Sequence, residues 1–257
     1  MSDYRFLRFE RPAAHVARVV LSRPKAANAL SLALFEELDD ALRRIEVDDE
    51  VRVWLLTGAP RTDGRPWFSA GADLKEPHRE RTVDPRAIVE RIDDQLKPSI
   101  AVIAGFCTTG ALELVMACDL RLAGHSARLC DWHLKATGLG IGRWGGAVRL
   151  ARLVGTDRAK ELLLTGREVA GEEAEQIGLV HRAVSDEILD QLALDTAVGI
   201  ASMPPTGVRA TLAFLSLQQG MDKHEAIHWA ERTPEVMGLR LRPFRDSAER
   251  FARRPRD

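Results

Sequence analysis

Cysteine is scarce in this chain: Cys107, Cys118 and Cys130 are its three copies in 257 residues, and no C-x-x-C spacing joins them. An odd count in apolar surroundings argues against a disulfide framework and for reduced core thiols in a cytoplasmic protein. Charge of either sign is not in excess, the net value being -1. No overall field therefore points to nucleic acid or a membrane surface as a partner. Charges interrupt every apolar segment before it reaches the length of a membrane span. The first residues, MSDYRFLRFERP, alternate charged and apolar side chains and have no continuous apolar core, unlike a signal peptide. Neither G-x-S-x-G nor G-x-x-x-x-G-K-[ST] occurs, so a serine-hydrolase elbow and a phosphate-binding P-loop lack support.

What is present is an ordinary globular balance, 45% hydrophobic and 29% charged residues, in a length that suits one large domain or one domain with an appendage. Alternation over Arg5 to Glu10 and the valine-rich run His15 to Leu21 read as strands. Ser31 is placed to cap a helix bearing Leu34, Leu38, Ala41, Leu42 and Ile45 at helical spacing. Val51 to Thr57 reads as a strand, and Ala87 to Leu96 as a helix stopped by Pro98.

Two stretches carry chemistry. Gly105 to Asp119, GFCTTGALELVMACD, follows a β-rich run and opens a helix with Leu112, Val115 and Met116 on one face. Unpaired N–H groups at a helix start can hold an oxygen that gains negative charge, and Gly110 lets a ligand approach the backbone. Glu113 sits one turn in, suited to handling a proton. Alone, this pattern reads better as a turn glycine followed by a glutamate that favours the helix dipole. A second bare-backbone stretch changes the balance: Trp67 to Glu76, WFSAGADLKE, where Ala70, Gly71 and Ala72 lead into an expected helix start. Two amides from separate segments, aimed at one point, are what a thioester carbonyl needs when it becomes an enolate.

FSAGADLKE and GFCTTGALELVMACD together resemble the two signature segments of the crotonase superfamily, the enoyl-CoA hydratase/isomerase family. LSRPKAANALS (Leu21 to Ser31) is similar to that family's N-terminal CoA-contacting segment, and TGREVAGEEAEQIGLVHRAV (Thr165 to Val184) to its late signature. The resemblance implies an α/β fold, a spiral of ββα units with two near-perpendicular sheets over residues 1–195, followed by a C-terminal helical trimerisation region over 196–257. It implies an oxyanion hole from the amides of Ala72 and Gly110, with Glu113 as base or water-holding acid. Lys25, Ala26, Ala70, Asp73 and Leu74 become CoA contacts, and His78 to Pro85 a variable border of the acyl pocket. The implied partner is an acyl-CoA thioester, acted on by a homotrimer or dimer of trimers. No metal or redox cofactor is implied, because CoA on the substrate supplies the handle.

Asp131 to Gly146, DWHLKATGLGIGRWGG, departs from the family pattern, in which hydratases carry a second glutamate here. Counting forward from Glu113 lands near His133, and counting back from Gly145 and Gly146 lands near Lys135. Asp131 is the nearest acid but needs a shift of register. His133 titrates in the right range to serve as the second acid–base group. Its rival reading is a structural histidine, and Lys135 reads as a surface or CoA-facing charge.

Two further matches have blander readings. Gly140 to Gly145, GIGRWG, fits the dinucleotide fingerprint, but DWHLKATGL before it is no buried strand, so the glycines are expected to shape a turn over the substrate. His224 to His228, HEAIH, fits a zinc-binding helix with Glu249 as third ligand. The alternative is a helix with Ile227 inside and its histidines at a surface or subunit contact. From Ser185 the chain reads as helical, broken at Met203-Pro204-Pro205. Arg240 to Asp257 has seven arginines against Asp246, Glu249 and Asp257, and lacks the interleaved aromatics of an RNA-stacking surface.

The expected activity is hydration of a 2-trans-enoyl-CoA, or its reverse, with double-bond isomerisation as the alternative. A non-catalytic acyl-CoA or RNA-binding module and a zinc hydrolase are the rivals from other classes.

Overall fold

The computed structural model describes residues 4–76, 82–236 and 238. The chain forms two compact units, Met1–Met203 and Pro204–Asp257. The first is built around β1 (Leu7–Ala13), β2 (Val16–Leu21), α1 (Leu32–Val47), β3 (Val53–Gly58), β4 (Trp67–Ser69), α2 (Pro85–Asp94), β5 (Ser99–Ile103), β6 (Phe106–Thr108) and α3 (Gly110–Met116). It continues through β7 (Leu120–Gly124), β8 (Arg128–Cys130), α4 (His133–Thr137), α5 (Gly146–Val154), α6 (Thr156–Thr165), β9 (Val169–Ala170), α7 (Gly171–Gln176), β10 (Arg182–Val184) and α8 (Asp186–Ala201).

The strands divide between a six-stranded sheet in the order β1-β2-β3-β5-β7-β10 and a four-stranded sheet in the order β4-β6-β8-β9. Each turn of the chain gives one strand to the large sheet, one to the small sheet, then a helix: β3-β4-α2, β5-β6-α3, β7-β8-α4. Successive turns stack in parallel, β3 on β5 on β7 and β4 on β6 on β8. That repetition is a spiral of ββα units.

Both faces of the large sheet are covered, which is why β3 (VWLLTG) and β5 (SIAVI) read as unbroken apolar runs rather than alternating ones. Side chains still alternate between two cores. Trp54 and Leu56 join the core containing α1, whereas Val53 and Leu55 join Leu189, Ala193, Ala197 and Ala201 of α8. These four recur every fourth residue along one face of α8, three of them alanines that let the helix lie close on the strands. The unit runs to Met203, past residue 195, because α8 is continuous through that position.

Ser31 caps α1 as expected, its Oγ accepting from Leu34 N at 3.2 Å. All three cysteines are buried and free, as expected of core thiols. No helix among the described residues is long and apolar enough to cross a membrane.

The second unit contains α9 (Pro205–Leu217), which starts at the proline pair that ends the preceding helix, and α10 (Lys223–Val236). His224 and His228 are exposed on α10, and so is Ile227, contrary to the expectation that it faces inward. Among the described residues no group of three or more His, Cys, Asp or Glu is arranged to hold a metal ion. Glu249 and the arginine-rich stretch 240–257 lie outside the described residues, as does half of 78–85, namely 78–81.

Candidate active site

The C-terminal ends of β4, β6 and β8 lie side by side in the small sheet, and the residues singled out above follow directly from them. Gly71 to Asp73 follow β4, Thr109 to Glu113 follow β6, and Asp131 to His133 follow β8. Ligands of parallel α/β sheets bind beyond these strand ends, where chain direction changes and backbone groups are free.

Gly71 brings the first two segments together. It has φ +81°, and a Cβ there would lie 2.7 Å from Thr108 O and 3.2 Å from Gly110 N, so no other residue fits. Leu30 N donates to Gly71 O at 2.8 Å and Asp73 N donates to Leu30 O at 3.0 Å, pairing this segment with Leu30. Ala72 N–H is left outside that pairing. Among the described residues neither the Ala72 nor the Gly110 amide donates to a backbone acceptor. Gly110 is the first residue of α3, where an unpaired donor is expected. Residues 70–76 form bends and turns, so the helix expected to begin at Ala70 to Ala72 is absent from the described residues. The adjoining β-bridge to Leu30 supersedes it.

Gly110 is required for a reason the sequence concealed. A Cβ there would meet the Trp144 ring at 2.5 Å, so an indole, rather than a ligand, occupies that space. Trp144 in turn stands edge-on to Phe35 of α1, with ring centroids 5.1 Å apart. Thr109, just before Gly110, has φ 56° and ψ -112°, a rare conformation for a β-branched residue. Strain of this kind persists where surrounding structure imposes it.

Glu113 is 1% exposed. Its Oε1 accepts from the backbone N–H of Trp144 and of Gly146, each at 2.8 Å. Its Oε2 has no hydrogen-bond partner and lies 3.5 Å from His133 Nε2. Burial raises the Glu113 pKa above the usual carboxylate value, and the two amides and His133 only partly offset this. The loop between α4 and α5 wraps this carboxylate closely: a Cβ on Gly142 would meet Oε1 at 2.3 Å, and one on Gly146 at 2.9 Å. Arg149 holds the loop from behind, pairing with Asp93 at 3.0 Å and donating to Trp144 O. The GIGRWG stretch follows a helix rather than a strand, and one of its glycines, Gly142, makes room for Glu113.

His133 and Asp131 form the third part. His133 N donates to Asp131 Oδ1 at 2.8 Å, and His133 Nδ1 lies 3.0 Å from both Asp131 oxygens. Asp131 therefore needs no shift of register, because it faces the imidazole instead of the space beside Glu113. Burial alone would lower the His133 pKa, but Asp131 and Glu113 outweigh it and raise the value. Lys135 points elsewhere: its Nζ donates to Gly166 O at 3.0 Å.

The expected CoA segment is held against the same site. Lys25 is exposed in a short 3₁₀ turn, Pro24–Ala26, and Ala26 is half-buried. Exposed Ala70 donates to Ala27 O at 3.0 Å, and Leu74 is 82% exposed. The Asp73 carboxylate is engaged by Arg23 at 2.9 Å and by Lys75 N at 3.0 Å, so it braces the two loops. Asn28 is buried, with φ 53°. Its amide nitrogen donates to Ala59 O, Trp67 O and Phe68 O at 2.8, 3.0 and 3.1 Å, pinning the loop to β4.

The profile of the family described as enoyl-CoA hydratase/isomerase matches residues 11–235. A short-chain-enoyl-CoA hydratase of Clostridium acetobutylicum is 37% identical over 214 residues, covering 80% of this chain and 78% of that protein. The crystal structure of an enoyl-CoA hydratase from Bacillus anthracis superposes with a TM-score of 0.83 at 36% identity, over 90% of each chain. A monofunctional enoyl CoA isomerase from M. smegmatis has a TM-score of 0.74 at 31% identity, covering 87% of this chain and 98% of that one. By its fold, by the match across most of its length and by its relatives, the chain belongs to the enoyl-CoA hydratase/isomerase family of the crotonase superfamily.

Proposed function

We propose that this enzyme adds water to a 2-trans-enoyl-CoA, or removes it from the 3-hydroxyacyl-CoA, through a thioester enolate. The observation that carries the reading is the pair of undonated amides, Ala72 and Gly110, on touching segments beside a buried carboxylate with one free oxygen. The thioester oxygen sits between those amides, which are fixed before charge develops on it. Glu113 takes a proton from water as the oxygen bonds to the β-carbon. His133, held as imidazolium by Asp131, gives its Nε2 proton to the α-carbon as the enolate collapses. The raised Glu113 pKa suits a base that works near neutral pH, and the raised His133 pKa suits an acid. CoA lies along Lys25, Ala26, Ala70 and Leu74, with Asp73 shaping the loop. The name of the clostridial relative favours a short acyl chain.

Exposed apolar residues on the last helices, Ile188, Val198, Leu215, Leu217, Ile227 and Trp229, favour self-association as a trimer or dimer of trimers. Three buried free thiols favour a cytoplasmic setting.

The test is incubation with a panel of enoyl-, 3-hydroxyacyl- and β-ketoacyl-CoA esters in heavy water. Deuterium at the α-carbon together with the mass of one added water is expected, and both vanish in Glu113→Gln. Exchange without added water supports isomerisation instead. That second reading is favoured by the 3.5 Å spacing of Glu113 Oε2 and His133 Nε2, across which one proton can pass between carbons, and by the M. smegmatis isomerase. No exchange with any ester overturns both.

A further inference from the structure

Three charged groups, Asp131, Glu113 and Arg143, act on the His133 imidazole. Asp131 is 4% exposed and lies behind the ring, where it accepts the His133 backbone N–H with Oδ1 and faces Nδ1 with both oxygens. Glu113 faces Nε2 from α3. The remaining charge acting on the ring is the exposed Arg143, on the loop between α4 and α5. Building on the hydration reading, we propose that Asp131 is a positioning residue that keeps His133 a proton donor, by holding a proton permanently on Nδ1. With that proton fixed, imidazolium loses its other proton from Nε2, the nitrogen that faces Glu113. The neutral ring left behind then has a free Nε2 lone pair. Glu113, protonated by the water it activated, lies close enough to return that proton and reset the pair. The sequence of transfers balances: one proton goes from water to Glu113, one from Nε2 to the α-carbon, and one from Glu113 back to Nε2.

The backbone contact makes Asp131→Asn a sharp probe. The His133 N–H pins the asparagine oxygen at the Oδ1 position, which turns the amide NH2 toward Nδ1. The pinned oxygen can still accept from Nδ1, but the NH2 beside it competes and the carboxylate charge is gone. The ring therefore becomes neutral at lower pH, and a neutral imidazole is a far weaker acid than imidazolium. The measurement is nitrogen-15 NMR of the histidine rings in the full-length protein across pH, with the His133 signals assigned by their loss in His133→Gln. In the wild type His133 is expected to titrate above the ordinary value of about 6.5 and to keep Nδ1–H when neutral. In Asp131→Asn it titrates at least about one pH unit lower, and the neutral ring no longer holds its proton solely on Nδ1. With the preferred ester kcat falls about 10²- to 10⁴-fold while KM stays within about threefold, a split that simple loosening of the fold does not produce.

A wild-type neutral ring with its proton on Nε2, or an Asp131→Asn enzyme with wild-type kcat and pH profile, overturns the assignment. Should the variant not fold, the wild-type tautomer alone decides. Should no ester turn over, the hydration reading falls while the tautomer still reports on Asp131.

Discussion

Glu113 Oε2 and His133 Nε2 face each other at 3.5 Å, the carboxylate held from behind by two backbone amides and the imidazole by Asp131. Each group has one side fixed by protein and one side turned to the other. The arrangement differs from a pair of glutamates in its resting charge, because one member is cationic when protonated. A buried carboxylate beside an imidazolium is better compensated than two carboxylates facing the same space, one of which must stay protonated.

Activity should therefore follow a bell-shaped pH profile. Hydration needs Glu113 ionised and His133 protonated. Burial raises the Glu113 pKa above 4.5, so the acid limb lies above the range of an ordinary glutamate. Asp131 and Glu113 raise His133 above 6.5 against the effect of its own burial, so activity is lost as pH climbs through that higher value. Profiles of kcat/KM against pH check this, and Glu113→Gln should remove about 10²- to 10⁴-fold of kcat at the optimum. A rate that keeps rising toward pH 9 would mean that His133 serves as a base.

Much of the scaffold was legible because it is local. The Ser31 cap, the apolar runs of β3 and β5, and the proline break after Met203 each lie within a few residues of their cause. The site was legible only in part. Glu113, Gly110 and Ala72 lie in motifs, but what fixes them is distant: the amides on Glu113 come from residues 144 and 146, and the ring against Gly110 from Trp144. The strands β4, β6 and β8, three residues each, are too short to show a period, yet their alignment assembles everything. Asp131 and His133 form a two-residue pattern with no meaning until the loop after β8 turns both inward. Asp-x-His at the position of a missing glutamate was the available signal.

Asn28→Ala should destabilise the protein by about 3 kcal/mol, because three carbonyls, two of them at buried contacts, lose their donor and the Arg23 N–H loses its acceptor. Chemical denaturation measures it. The Km for the CoA ester should rise more than kcat falls, since Asn28 holds the Lys25 turn against β4 and touches none of the catalytic groups.

Thr109→Gly should raise stability by about 1 kcal/mol. A β-branched residue at φ 56°, ψ -112° stores roughly 1–3 kcal/mol, and the extra freedom of glycine in the unfolded chain returns about 0.5–1 kcal/mol of that. Thermal unfolding reads the result. A loss of stability instead would mean that the Thr109 hydroxyl, 3.4 Å from Trp132 N, outweighs the strain.

Gly142→Ala and Gly138→Ala form a matched pair on the loop over Glu113. Both glycines have positive φ, +74° and +76°, so alanine at either costs about 1 kcal/mol of backbone strain. Their surroundings differ. A Cβ on Gly138 meets nothing within 4 Å, whereas one on Gly142 would fall 2.3 Å from Glu113 Oε1. The carboxylate must then move or the loop must lift, and either breaks the hydrogen bonds from Trp144 N and Gly146 N. Gly142→Ala should lose at least about 10²-fold in kcat, the range expected when a base is displaced, while Gly138→Ala keeps wild-type kcat. Equal kcat in the two variants, with equal melting temperatures, would mean that the loop does not set the position of Glu113.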